Sequence, residues 1–166
     1  MAKPDEQLRE IGETKKELAE RHVNRQDFWK GLLERSRKVT RLSENRSPST
    51  DHWLAVASGR SGLTYNYLII KSGAAIDLYI DVNDGLKNKV IFDELYTDRE
   101  AIESEFGAIL QWRRLDEKRA SRIVFPIAET GSLVERETWT PLQNTMIDAM
   151  VKFDGVFRPR LAKLKI

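Results

Sequence analysis

Cysteine is absent from this 166-residue chain. Disulfides, thiolate metal sites and thiol nucleophiles are excluded with it, and the composition fits a cytoplasmic protein. Histidine is limited to His22 and His52. They fall in different elements with no companion at metal-ligand spacing, so surface or capping roles are expected. No apolar run approaches the roughly 20 residues that a membrane span needs, so no membrane association is expected. The opening MAKPDEQLRE lacks the apolar core of a secretory signal. GxSxG, P-loop and dinucleotide fingerprints are missing, as are internal repeats and low-complexity segments. A charge excess is nearly missing too: 28 Lys and Arg stand against 26 Asp and Glu, a net +2. Partners must therefore be argued from where charges sit rather than from their sum.

What is present is organised around Leu63–Val82, LTYNYLIIKSGAAIDLYIDV. Side chains of an extended chain alternate between faces, so Leu63, Tyr65, Tyr67 and Ile69 share one side. After a Ser72-Gly73 break, Ala74, Ile76, Leu78, Ile80 and Val82 point one way and Ala75, Asp77, Tyr79 and Asp81 the other. Aromatic and β-branched residues suit a pleated, half-buried surface, and Ser-Gly between two such runs signals a hairpin. Two antiparallel strands are expected, apolar on one face and polar on the other.

Around this pair the chain falls into blocks. Residues from about Asp5 to Thr40 read as helix, with Pro4 suited to a first turn. Leu8, Ile11 and Leu18 form a thin stripe in its first half. Phe28 and Leu32, with Trp29 and Leu33, form i,i+4 pairs and a broad apolar face in the second. A helical extension, 1–22, therefore precedes a single α+β domain, 23–166. Ser43–His52 is a loop, Trp53–Ser58 a short strand, and Gly59-Arg60-Ser61-Gly62 a turn into the central pair. Asn83-Asp84-Gly85 turns the chain into a helix carrying Val90, Ile91, Phe92 and Leu95. Thr97 through Glu100 reads as a capping box for another helix, with Ile102 and Phe106 inward and Gly107 as its stop. Leu110–Asp116 and Ala120–Ala128 form a second hairpin turning near Glu117-Lys118. Thr140-Pro141 opens a last helix with a stripe from Leu142 to Phe157, extended by Leu161 and Leu164 and open to interruption at Pro159. The order α, βββ, αα, ββ, α predicts an α+β fold: a mostly antiparallel sheet, built from a three-stranded meander plus a second hairpin, with helices on one face and long terminal helices.

Two clusters carry candidate chemistry. Asp77 and Asp81 share a strand face about 13 Å apart, too far to hold one ion without a third group between them. A metal nuclease built around them, which would want a neighbouring acid and a lysine, is one reading, with Lys71 across the expected hairpin and Glu94 and Glu103 on helices; solvated acids on a polar face are the other. No resident cofactor is expected, a divalent metal being left open. The second cluster is Gln111–Arg122, QWRRLDEKRASR, where Arg113, Arg114, Lys118, Arg119 and Arg122 outnumber Asp116 and Glu117. Arginine interleaved with an aromatic, Trp112, suits phosphate and base contacts. The alternative is a solvated edge hairpin whose arginines pair with acids such as Glu100 and Glu103 and whose charge blocks unwanted strand pairing. Trp112 is expected to anchor the hairpin against the helices. Arg158, Arg160, Lys163 and Lys165 add a second basic run near the end of the sequence.

Several residues taken together are familiar. They are Phe28-Trp29 with Leu32-Leu33, Gly59-Arg60-Ser61-Gly62 and Leu78-Tyr79-Ile80-Asp81; then Asn88-Lys89 with Phe92-Asp93-Glu94-Leu95, and Ile102-Glu103 with Phe106-Gly107. Trp112 before Arg119-Ala120-Ser121-Arg122-Ile123, and Trp139, complete the set. In this order they resemble the bacterial and archaeal domain-of-unknown-function family 4268, over roughly Phe28 to Leu164. The resemblance implies no assigned activity. Members joined behind a nuclease-like domain imply a DNA-related or defence context.

Three functions are therefore carried forward: a non-catalytic binding module for nucleic acid or a partner in a nucleic-acid pathway, a degenerate metal-dependent nuclease, and a protein-interaction domain that dimerises through its N-terminal helix.

Overall fold

The computed structural model describes residues 14–70, 73–127 and 131–166. Pro4, Leu8, Ile11, Lys71, Ser72 and Ala128 lie outside the described residues. Helix α1 (Lys15–Ser36) starts at Thr14, whose hydroxyl accepts the Glu17 amide at 3.1 Å. No residue from Thr14 to Asp27 is buried. Burial begins at Phe28 and Trp29 and returns at Leu32 and Leu33, one helical turn on. The helix stops at Ser36 rather than near Thr40, because the chain turns back and the buried Ser36 and Ser43 hydroxyls bond each other at 2.8 Å.

Strands β1 (Trp53–Arg60), β2 (Leu63–Ile70) and β3 (Gly73–Ile80) form the expected antiparallel meander. Strand β1 runs two residues past Ser58 through a register shift between Ala57 and Arg60. Gly59 and Gly62 take φ of +87° and +81°, and a Cβ at Gly62 would lie 2.9 Å from the Val82 Cα, so that turn requires glycine. At the second turn Gly73 already belongs to β3 instead of lying in a Ser72-Gly73 break. Gly73 is extended and pairs with Ile70, which sets Asn66 opposite Asp77.

Asp84 caps helix α2 (Gly85–Thr97), accepting from the Leu86 and Lys87 amides. Helix α3 (Arg99–Phe106) follows, but the expected capping box is not made. The Thr97 hydroxyl donates to Glu94 O of the preceding turn, and Asp98 stands at the N-cap without a side-chain capping bond. Gly107 ends α3 in the left-handed region, φ +90°. Strands β4 (Gln111–Arg113) and β5 (Ser121–Ile127) form the second hairpin, and a short 3₁₀ turn (Arg136–Thr138) leads into helix α4 (Trp139–Lys163). Pro159 lies inside α4 without ending it. Arg60 reaches the helix end, donating to Leu161 O at 2.8 Å and Ala162 O at 3.3 Å, where free carbonyls carry the negative end of the helix dipole.

The fold is α+β, with one five-stranded antiparallel sheet in the order β1-β2-β3-β5-β4. On one side Tyr65, Tyr67, Ile76, Leu78 and Ile123 are fully buried against Met146, Met150, Phe153 and Phe157 of α4, with α1, α2 and α3 completing the layer. Each such side chain contributes roughly 1.5–3 kcal/mol by leaving water. The rings interlock edge to face: Phe153 meets Tyr65 and Phe106 with centroids 5.8 and 5.7 Å apart. Helices α1 and α4 are clamped by Gln143, which donates to Phe28 O at 2.9 Å and accepts from Arg35 at 3.1 Å. Among the described residues no helix covers the other side of the sheet. Among the described residues no helix is long and apolar enough to cross a membrane.

Candidate functional site

The uncovered sheet face is built in rows that follow from strand register. Trp53, Leu68, Ala75 and Pro126 lie side by side across the strands. Ala55, Asn66, Asp77, Val124 and Gln111 form the next row, and Ala57, Thr64, Tyr79, Arg122 and Arg113 the third. A cleft of about 720 Å³ lies over these rows, with the β4–β5 loop contributing Leu115, Lys118 and Ala120.

Asp77 lies among the residues that line this cleft, yet it is only 1% exposed. Its carboxylate accepts from Arg122 Nε at 2.7 Å and Asn66 Nδ2 at 3.0 Å. Burial nevertheless pushes its pKa above the ordinary carboxylate range, outweighing the pull of Arg122 and Asn66. Asp81, just beyond the end of β3, behaves in the opposite way. Arg119 grips it with Nε at 3.0 Å and Nη2 at 2.6 Å, Asn88 adds a bond at 3.1 Å, and its pKa falls. Each of the two carboxylates has its own guanidinium. Among the described residues no three His, Asp or Glu side chains come together where they could hold a metal ion.

The basic hairpin divides. Arg114 is held by Asp93 at 2.9 Å and also by Asp116, Arg119 by Asp81, and Arg122 by Asp77. These partners differ from Glu100 and Glu103: Glu103 instead accepts from the Leu110 amide at 2.7 Å and from Trp112 Nε1 at 3.2 Å. Trp112 packs edge-on to Phe92 and Tyr96, so it anchors the hairpin as expected. Arg113 and Lys118 make no salt bridge among the described residues, and both line the cleft; Arg113 bonds Gln111 and adds a weaker charge attraction to Asp77. In the other basic run, Arg160 is bound by Asp98 and Glu105, and Arg158 by Asp154.

The loop that carries Lys118 is fastened from below by α2. The Lys89 ammonium donates to Arg114 O, Leu115 O and Ala120 O at 2.6–2.9 Å and to the Ser121 hydroxyl at 2.9 Å. Desolvation, more than the nearby Arg114, lowers its pKa. Leu115 takes φ +57°, a conformation that disfavours a side chain, and Lys89 holds the carbonyl of that residue. Asn88 adds bonds to Arg119 O at 3.0 Å and to Asp81.

A family model described as domain of unknown function DUF4268 matches residues 24–161. The chain belongs to this family. No curated protein matches it, and no solved structure does. In this DUF4268 domain four of the dispersed residues that carried the resemblance have a shared structural reason. Asn88, Lys89, Asp93 and Glu103 all reach from the helices to the β4–β5 hairpin. Sequence reasoning missed Asn66, Trp53 and the Lys89 clamp. The first could have been found by pairing Ile70 with Gly73, a register that sets Asn66 opposite Asp77; a lysine that seeks backbone carbonyls leaves no such signal.

Proposed function

We propose that this domain is a non-catalytic nucleic-acid-binding module that works through the uncovered face of its sheet. The observation that carries the reading is the placement of Arg113 and Lys118, hairpin cations that make no salt bridge among the described residues, on the lining of the cleft. Beside them Arg122 uses only its Nε on Asp77, and a guanidinium has further donors. Phosphate binding needs cations whose charge is not already spent on carboxylates. Arg114 and Arg119 are already paired, so their part in binding is expected to be smaller than that of Arg113 and Lys118. The non-catalytic half of the reading rests on Asp77 and Asp81, each committed to an arginine and an amide.

The test is a titration of labelled DNA and RNA at several salt concentrations. Binding should weaken steeply with salt, with a log–log slope of about −0.9 per phosphate contact on duplex and about −0.7 on single strands. The double variant Arg113→Ala, Lys118→Ala should flatten that slope by about two contacts. An unchanged slope in this variant, or no binding by the wild type at low salt, sinks the reading. Incubation with magnesium or manganese should leave the nucleic acid intact; cleavage that disappears in a folded Asp81→Ala variant would restore the nuclease.

A second reading, self-association through α1, is favoured by the exposure of every described residue from Thr14 to Asp27 to at least partial solvent contact. Sedimentation at increasing protein concentration decides it: a constant monomer mass removes it.

A further inference from the structure

Two large aromatic side chains lie on the same uncovered face, and neither is needed by the core. Trp53 is 43% exposed and Tyr79 39% exposed, and both line the cleft with Arg113 and Lys118. The exposed Tyr96 makes a useful contrast. Its ring is stacked on Phe92, edge-on to Trp112 and covered by Arg99, so its faces are already in use. Trp53 meets only the edge-to-face ring of His52, and Tyr79 meets no ring among the described residues. Exposed aromatic surface costs free energy in water unless something covers it.

Their positions also matter. Trp53 is in the row of Leu68 and Ala75, and Tyr79 lies four residues along β3 and two strands away. That is about 16 Å by strand rise and spacing. The floor between them holds Asn66 and the Asp77–Arg122 pair, so the one carboxylate there is buried and compensated rather than facing an incoming anion. Three cations, two aromatic rings and a neutralised polar floor therefore share one concave surface.

Resting on the nucleic-acid reading above, we propose that the strand bound is single: it lies across the uncovered sheet face with bases stacked on Trp53 and Tyr79 and phosphates at Arg113 and Lys118. A duplex keeps its base faces inside its own stack and cannot offer them to the rings, whereas unpaired bases can. Phosphate contacts alone do not distinguish the two forms. The aromatic pair does, and because every base has a π face the preference is for strandedness rather than for sequence.

Fluorescence anisotropy at low salt tests this with single-stranded DNA, single-stranded RNA and a DNA duplex of the same sequence, each about 20 nucleotides long to exceed the usual single-strand site sizes of about 4–16. At least one single strand should bind more than tenfold tighter than the duplex. Trp53→Ala and Tyr79→Ala should each weaken that binding by about 5- to 150-fold, the range for loss of one stacked base, without changing the salt slope. Trp53→Phe should recover part of the loss, and circular dichroism should show every variant folded. Equal or tighter duplex binding, or aromatic variants that bind like the wild type, overturns the proposal while a salt-dependent affinity keeps the nucleic-acid reading intact. Failure of the wild type to bind any of the three overturns both.

Discussion

Asp77 and Asp81 are four residues apart, and each meets one arginine from the second hairpin, yet the two pairs do different work. The Asp77–Arg122 pair sits within the sheet face, with the carboxylate side chain 2% exposed. The Asp81–Arg119 pair closes the end of β3 against the hairpin loop with its guanidinium mostly in solvent. In the first, desolvation dominates and raises the carboxyl pKa; in the second, hydrogen bonds from Arg119 dominate and lower it. An ion pair's contribution depends on how much water was removed to form it, so identical chemistry yields opposite effects on the acid.

Removing the partner should separate the two pairs most. Arg122→Ala leaves a buried carboxylate with only Asn66, and unfolding by denaturant should show a loss of about 1–3 kcal/mol, the cost of an uncompensated buried group moderated by partial exposure of Arg122. A loss near zero would mean that water replaces the guanidinium and that the cleft floor is wetter than its burial implies. Lys89→Met probes the support beneath the same hairpin. Three carbonyls and a hydroxyl lose the ammonium; Arg114 O keeps the Ser121 hydroxyl and Leu115 O the Lys118 amide, so the loss expected is about 1–2 kcal/mol rather than the sum of four bonds. Amide exchange should rise between Arg114 and Ala120 ahead of the rest of the sheet.

The pH dependence should run in opposite directions at the two acids. A raised folded pKa means that the native state holds its proton when the unfolded chain has released it. Asp77 therefore favours folding most below the ordinary value of 3.8, and that contribution is lost as pH climbs from 3.8 through the raised value. Asp81 has a lowered folded pKa, so its contribution is present above 3.8 and is lost as pH falls through the folded value. Stability measured against pH in Asp77→Asn and Asp81→Asn should differ from wild type with opposite slopes. Curves of the same sign would abolish the distinction. The smallest of these effects is expected from Asp81→Asn at neutral pH, where a largely exposed partner leaves little to lose.

Most of the architecture was legible in residue order. Alternation along Leu63–Ile80 shows which face is buried, and the Phe28 to Leu33 and Leu142 to Phe157 stripes show where the long helices pack. Misreadings were local: a capping box at Thr97 that the preceding turn takes over, and a Gly73 that pairs within the strand where a break was expected. Both arise because turn residues have several nearly equal local partners, and only the assembled chain chooses among them.

Residue order is enough for the α+β layout, the polarity of the sheet's two faces and the basic character of the Gln111–Arg122 hairpin, since periodicity and composition act within one element. Tertiary structure alone decided how those charges are spent. Arg114, Arg119 and Arg122 find carboxylates 21, 38 and 45 residues away, while Arg113 and Lys118 make no salt bridge among the described residues. That division depends on which strand lies beside which and on where α2 holds the loop. Ion pairing acts across a few ångströms of space, and distance along the chain does not reveal it.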